Sequence, residues 1–462
     1  MKKAYGFLLR SVASVLLLAS ASVSAHAVER LAGESADFRE VVRAARAKVF
    51  PSLVYVRVLC KNLSDGKNEK LAASGSGVVI TPEGELLTNH HVIDKAVEIR
   101  CLLSDGSAYE AKLIGADKDM DVALLKLVRP KGARPLPAAS LSDKPVNVGD
   151  VVLAMGAPWG LARSVTMGIV SCTDRYLERS GQYTLWYQTD AAISPGNSGG
   201  PLVDTQGRVV GLNARGNTQG AQAFTIPSPT ILEILPFLRK KGNAAWGWFG
   251  FQFQPLNDFN RNMYFPFTNG VMLAGTDLGS PARKAGFKPN DRIVAVDGKP
   301  IVARSHEDLP ALERLLGRLP FGKSVRVDYE REGKKLVANL APVEKGKVEG
   351  EEKVFSRWGF TAKEINLFNE PDLAYFSPSG GVYVAATSWE GNAVNAGLRR
   401  RDIVKKMDGK PVSSIDELDA IYEKALKELP GKSRMDVVVD RRGRELTFVL
   451  KYLEDTEKDD LE

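Results

Sequence analysis

The chain is poor in the residues that build metal cages and disulfide scaffolds: its 462 residues include three cysteines and four histidines. Cys60, Cys101 and Cys172 match no zinc or iron–sulfur spacing, so neither a metal nor any other cofactor is expected. Three thiols allow one bridge at most. In an oxidising compartment Cys60 and Cys101, which both end strand-like runs of one region, are the expected pair, with three buried free thiols as the alternative. Beyond the N-terminus there is no apolar run of the roughly 20 residues that a membrane-spanning helix needs. Nor does one sign of charge dominate. With 63 Lys and Arg against 56 Asp and Glu the formal charge is +7, in scattered clusters such as Arg399-Arg400-Arg401. That balance argues against a nucleic-acid binder.

What is present begins with a leader. MKKAYGFLLR carries Lys2, Lys3 and Arg10, SVASVLLLAS supplies a short apolar stretch, and Ala25-His26-Ala27 is a small-x-small cleavage pattern. Residues 1–27 are expected to be removed, so that the exported chain starts near Val28 and its formal charge falls by three to +4. At the other end EDTEKDDLE, residues 454–462 by expectation, reads as a frayed acidic tail.

From Ser52 to about Pro227 the signals are short β-branched runs, SLVYVRVLC, GSGVVI, DVALLKLV and DVVLAMGA among them, separated by Gly, Asp, Asn or Pro. That many strands fit two packed antiparallel barrels. The helical run TILEILPFLRKKG closes this region near residue 241. An internal repeat follows. GVMLAGTDLGSPARKAGFKPNDRIVAVDGKPI starts at Gly270 and GVYVAATSWEGNAVNAGLRRRDIVKKMDGKPV at Gly381. Ala285-Gly286, Asp291, Ile293, Asp297-Gly298 and Pro300 recur as Ala396-Gly397, Asp402, Ile403, Asp408-Gly409 and Pro411. The fold expected is mainly β, a double barrel over 28–241 followed by two α+β units at 245–343 and 354–453, with EKGKVEGEEK as the linker between the units.

The chemistry centres on ISPGNSGGP, where glycines surround Ser198. G-N-S-G-G also satisfies the G-x-S-x-G pattern of a hydrolase elbow, but an elbow enzyme needs its acid and histidine after the serine, and the only later histidine is His306. The opposite order is populated: His90 and His91 in LLTNHHVID, Asp121 in DMDVALLKL, then Ser198. That is the His, Asp, Ser order of chymotrypsin-type proteases. A serine hydroxyl needs an imidazole to take its proton, and the imidazole needs a carboxylate to fix its tautomer. Gly196, Gly199 and Gly200 free the loop to turn backbone N–H groups of Gly196, Asn197 and Ser198 onto an oxyanion. His90 is a rival to His91, with a polar loop neighbour as its other reading. His306 reads as solvated, and Asp117 and Asp119 as turn formers.

These segments resemble the HtrA (Deg) family of exported serine proteases: TNHHV its T-N-x-H-V, DVALLKL its D-[LI]-A-x-L-K, and QTDAAISPGNSGGPLV its nucleophile segment. The resemblance implies a chymotrypsin-like double β-barrel followed by two PDZ domains, with His91 as general base, Asp121 as its orienting acid and Ser198 as nucleophile. It implies a periplasmic, ATP-independent endopeptidase acting on unfolded or misfolded envelope proteins, assembled as a homotrimer or larger. A chaperone or holdase, or a PDZ scaffold with a latent protease, is the alternative. Ala192 stands where trypsin-like enzymes hold an aspartate, so a pocket formed by Ile193, Ala214 and Arg215 is expected to prefer small or medium apolar side chains. Phe249-Gly250-Phe251 and Trp358-Gly359-Phe360 imply carboxylate-capturing loops that bind peptide C-termini, Phe251 and Phe360 lining the apolar pocket; core aromatics at strand starts are the other reading. The longer second insert, NLFNEPDLAYFSPSGG, is expected to alter or block its groove.

Overall fold

The computed structural model describes residues 37–62, 69–157, 163–178, 180–217, 222–345, 351–365 and 370–454. The expected leader and nearly all of the acidic tail lie outside them.

Two closed barrels of six antiparallel strands each form the first half of the chain. The first runs from Leu53–Asn62 to Val122–Leu127 and the second from Val151–Gly156 to Gln222–Pro227. In the first, the strands adjoin in the order first, second, third, sixth, fifth, fourth. Fully buried aliphatic residues such as Val54, Val56 and Val58 fill it from alternate positions of one strand, the period-two pattern that a half-buried strand requires. The helix Ser228–Lys241 then packs against the barrels through Ile231, Ile234, Leu235 and Leu238, an i, i+3, i+4, i+7 stripe. Gly242 ends it in the left-handed region at φ 79°, its N–H donating to the Leu238 carbonyl at 3.1 Å.

All three cysteines are free. The expected Cys60–Cys101 pairing fails on register, because Cys101 lies opposite Val56 whereas Cys60 lies opposite Ala96. Nor are all three buried: only Cys101 is, and burial pushes its thiol up to about 12.

Both repeat copies fold as antiparallel sheets with one packed helix, Leu309–Gly317 in the first and Ile415–Lys427 in the second. The residues that recur in sequence have structural tasks. Asp297-Gly298 and Asp408-Gly409 are two-residue turns with φ 52° and 73°, and 51° and 74°, the doubly positive geometry that Asp-Gly favours in hairpins. Asp291 accepts from Arg331 Nε at 2.6 Å and from the Lys288 N–H at 2.8 Å; Asp402 accepts from Arg441 Nε at 2.6 Å and from the Arg399 N–H at 2.8 Å. Each arginine also reaches the carbonyl of the repeated glycine, Gly286 or Gly397, at 2.8 Å. One equivalence in the sequence alignment shifts: Val271 pairs with Ile293 and Val382 with Val404. The counterpart of Ile293 is therefore Val404 rather than Ile403.

The first copy is docked on the barrels. Trp246 stacks on Tyr183 with ring centroids 4.0 Å apart and donates from Nε1 to Asp117 Oδ2 at 2.6 Å, while Arg314 donates to the Tyr183 carbonyl at 2.6 Å. His306 is half-buried rather than solvated. Its Nε2 lies 3.2 Å from Asp258 Oδ1 and its ring stacks on Tyr176, centroids 5.3 Å apart. The stretch expected as a linker also contributes strands, Val343–Glu344 at one end and Glu352–Phe355 at the other.

Candidate active site

His91 sits in the one-turn helix His90–Ile93, and Asp121 in the tight turn before Val122–Leu127, at φ 55°. The turn is built by Asp117, whose carboxylate accepts the Met120 N–H at 2.8 Å. Asp117 thus forms the turn and, through its other oxygen, anchors Trp246; burial and the nearby Asp119 push it up to about 6. Asp119 instead pairs with Lys345 at 2.7 Å.

Asp121 grips His91 twice. Its Oδ1 accepts the His91 backbone N–H at 2.9 Å and its Oδ2 lies 2.7 Å from His91 Nδ1. A carboxylate only accepts, so Nδ1 carries the proton and Nε2 is left as the lone-pair nitrogen. The Asp121 carbonyl is held as well, by Asn89 Nδ2 at 2.9 Å and the His90 N–H at 3.2 Å. His90 contributes no side-chain bond to the carboxylate; its imidazole is half-buried, and desolvation lowers its pKa. The acid itself is 6% exposed. The imidazole is open, its side chain 47% exposed.

The Ser198 loop is clamped onto the first barrel. The Ser76 N–H donates to the Ser198 carbonyl at 2.7 Å, Ser76 Oγ donates to the Gly196 carbonyl at 2.7 Å, and the Ala157 N–H donates to Ser76 Oγ at 2.8 Å. Gly75, next to it, brings the two sides together: a Cβ there would lie 2.8 Å from Val92 Cγ1 and 3.0 Å from the Ser198 carbonyl. Gly199, at φ 83°, could not carry a side chain, because its Cβ would collide with the Ser76 carbonyl and Thr88 Oγ1. Sequence reasoning missed Ser76 and Asn213. Asn213 is fully buried, its Nδ2 donating to the Pro201 carbonyl at 3.1 Å and its backbone carbonyl accepting the Gly199 N–H at 2.8 Å. The only signal for Ser76 was the small-residue run ASGSG; for Asn213 there was none.

Of the three N–H groups expected at an oxyanion site, that of Asn197 is used, donating to the Ser194 carbonyl at 3.0 Å. Among the described residues the N–H groups of Gly196 and Ser198 bond nothing. Ser198 Oγ donates to the Ala214 carbonyl at 3.2 Å. Its bond to His91 is not formed in this conformation, so two of the three expected groups are linked and the alcohol stands turned aside.

The expected pocket is also only partly assembled. Ala214 is buried and Ile193 half-buried, and a Cβ on Gly216 would strike the Ile193 carbonyl, so these two chain segments run close together. Arg215 points elsewhere: it donates to Ser180 Oγ at 2.9 Å and lies over the Trp186 ring. There it borders a cavity of about 480 Å³ between the barrels and the first repeat copy, with Asp121 on one wall and Phe253 and Leu309 on the other. Phe249, Phe251, Trp358 and Phe360 are all buried within their sheets' cores, and Gly250 and Gly359 adopt φ 76° and 73°.

Residues 75–212 match the trypsin-like peptidase domain and residues 247–341 the PDZ domain. The fold and site thus define a trypsin-like serine protease that carries a PDZ module. A probable periplasmic serine endoprotease DegP-like of Ectopseudomonas mendocina (strain ymp) is 36% identical over 406 residues, 84% of this chain and 82% of that protein. One of the same name from Pseudomonas putida (strain GB-1) is 33% identical over 405 residues, 84% and 81% of the two chains. Among solved structures, the HtrA-type protease AlgW with tripeptide covers 65% of this chain and 96% of its own at 32% identity and TM-score 0.56. The serine endoprotease from Yersinia pestis covers 65% and 97% at 27% identity and TM-score 0.51. The chain belongs to the HtrA/DegP-like family of serine endoproteases.

Proposed function

We propose that the chain is an exported, ATP-independent endopeptidase that cleaves unfolded or misfolded periplasmic proteins, with Ser198 as nucleophile, His91 as general base and Asp121 as its orienting acid. The observation that carries this reading is the double grip of Asp121 on His91, which leaves Nε2 free to accept a proton. Rotation of the Ser198 hydroxyl from the Ala214 carbonyl towards Nε2 completes the line. The unbonded N–H groups of Gly196 and Ser198 then receive the oxyanion, each such donor contributing about 3 kcal/mol to the transition state. Ile193 and Ala214 bound a pocket for small or medium apolar side chains.

Both repeat copies act as PDZ modules in this reading, and the second, over 354–453, is assigned on the shared Asp–Arg pair and Asp-Gly turn. Their Phe249-Gly250-Phe251 and Trp358-Gly359-Phe360 loops capture peptide C-termini. Assembly as a homotrimer or larger completes the proposal. Ser198→Ala is expected to lower cleavage of casein at least about 10³-fold with an unchanged circular dichroism spectrum. Turnover like that of the unmodified chain would end the assignment.

The turned-aside hydroxyl favours a second reading, a resting protease that also acts as a holdase. Suppression of aggregation by the Ser198→Ala chain supports that role; its absence removes it.

A further inference from the structure

We infer that the second repeat copy carries its own ligand: the strand Glu352–Phe355 occupies the groove in which a peptide C-terminus would add, and closes that module to peptides in the resting chain. The inference rests on reading this copy as a PDZ module.

Comparing the same places in the two copies makes the case. In the first copy the chain enters through Gly247–Trp248, which pairs away from the main sheet with Val343–Glu344. Phe251–Gln254 is therefore an edge strand, and the N–H of Gly250 bonds no described residue. An unpaired edge beside a free N–H is what peptide addition with carboxylate capture needs. In the second copy the entering segment folds back instead. Glu352–Phe355 pairs antiparallel with Phe360–Glu364, in register from Glu352 opposite Lys363 to Phe355 opposite Phe360.

Three contacts give this strand the attributes of a bound C-terminus. The Phe355 carbonyl accepts the Gly359 N–H at 2.9 Å, sharing it with the Ser356 carbonyl at the same distance, where a carboxylate oxygen would accept it. The Phe355 ring is fully buried, stacked on Trp358 and edge-on to Tyr422 of the helix Ile415–Lys427, with centroids 5.5 and 5.2 Å apart. Lys353 Nζ reaches Asp419 of the same helix at 2.5 Å. The strand thus lies between sheet edge and helix. The expected blocker, the insert before Gly381, is elsewhere: its described part forms the helix Pro371–Phe376, with Leu373 packed on Tyr383 and Ile403.

A tethered ligand competes at an effective concentration on the order of millimolar, so a free peptide sees only the small fraction of open grooves. Withdrawal of the strand would also release Glu352 from Lys95, a 2.9 Å pair that ties it to the barrel bearing His91.

The test titrates the full chain carrying Ser198→Ala with a fluorescent hexapeptide, Gly-Glu-Glu-Lys-Val-Phe with a free carboxylate, which copies the native segment. The parent is expected to bind at most one peptide per chain. Phe355→Ala, which empties the apolar seat, should gain one further site, at least tenfold tighter than any second site of the parent. Lys353→Glu leaves that seat filled and opposes Asp419, and should tighten the second site at least threefold; it decides the matter if Phe355→Ala fails to fold. Two equivalent sites on the parent, or no gain in a folded variant, overturns the inference. If the new site binds the amidated peptide equally well, strand displacement stands and the carboxylate-capture reading of the loops falls.

Discussion

The two repeat copies share the buried Asp–Arg pair and the Asp-Gly turn, yet they differ at the one edge where a partner strand would join. In the first copy that edge is unpaired among the described residues and faces a cavity shared with the barrels; in the second it is covered by the chain's own entering segment. The difference lies in four residues of approach, not in the sheet. A repeat conserves what its sheet needs internally, whereas access depends on how the chain arrives.

The comparison can be broken first at its apolar seat. Trp358→Ala removes a fully buried ring on which Phe355 stacks, and should cost about 3–5 kcal/mol in chemical denaturation of the second copy. A cost near zero would mean that strand and loop do not pack as one unit. The shared pair comes next. Asp291→Ala and Asp402→Ala each strand a partly buried arginine and should each cost about 3 kcal/mol; clearly unequal costs would show that the two sheets are not equivalent.

Docking of the first copy is read through Asp117. Its carboxyl is raised from 3.8 to about 6 in the folded chain, so the folded state holds a proton that the unfolded chain has lost. Its stabilising contribution is full below about pH 4 and is lost as pH rises through about 6, a change of about 3 kcal/mol. Asp117→Asn should flatten that slope relative to the parent; an unchanged slope would place the titration elsewhere. The smallest effect belongs to the second copy's tether. Glu352→Ala removes a partly exposed pair with Lys95 and should change stability by less than about 1 kcal/mol, and a larger loss would mark this contact as a genuine domain interface.

Much of the candidate site was legible because its signals are local. His91, Asp121 and Ser198 stand beside strand-forming runs, in an order that separated them from an elbow hydrolase, and Gly199 marks a backbone that no side chain could share. Other residues were invisible for a physical reason. Asn213 and Ser76 matter through carbonyls contributed from distant segments, and nothing adjacent in sequence announces those partners. Arg215 and His306 were misplaced likewise: Ser180 and Tyr176, which hold them, come from other parts of the fold.

The linear order of residues by itself determined the two-barrel architecture and the duplicated units and singled out the three groups proposed to react, since strand periodicity, Asp-Gly turns and glycine spacing act over a few residues. Only the tertiary structure decided that the Ser198 hydroxyl rests on Ala214, that the cysteines do not meet, and that one sheet edge is unpaired among the described residues while the corresponding edge of the other copy is paired. Those outcomes depend on which surfaces compete for the same donor, groove or strand edge once distant segments are packed, and that competition has no counterpart along the chain.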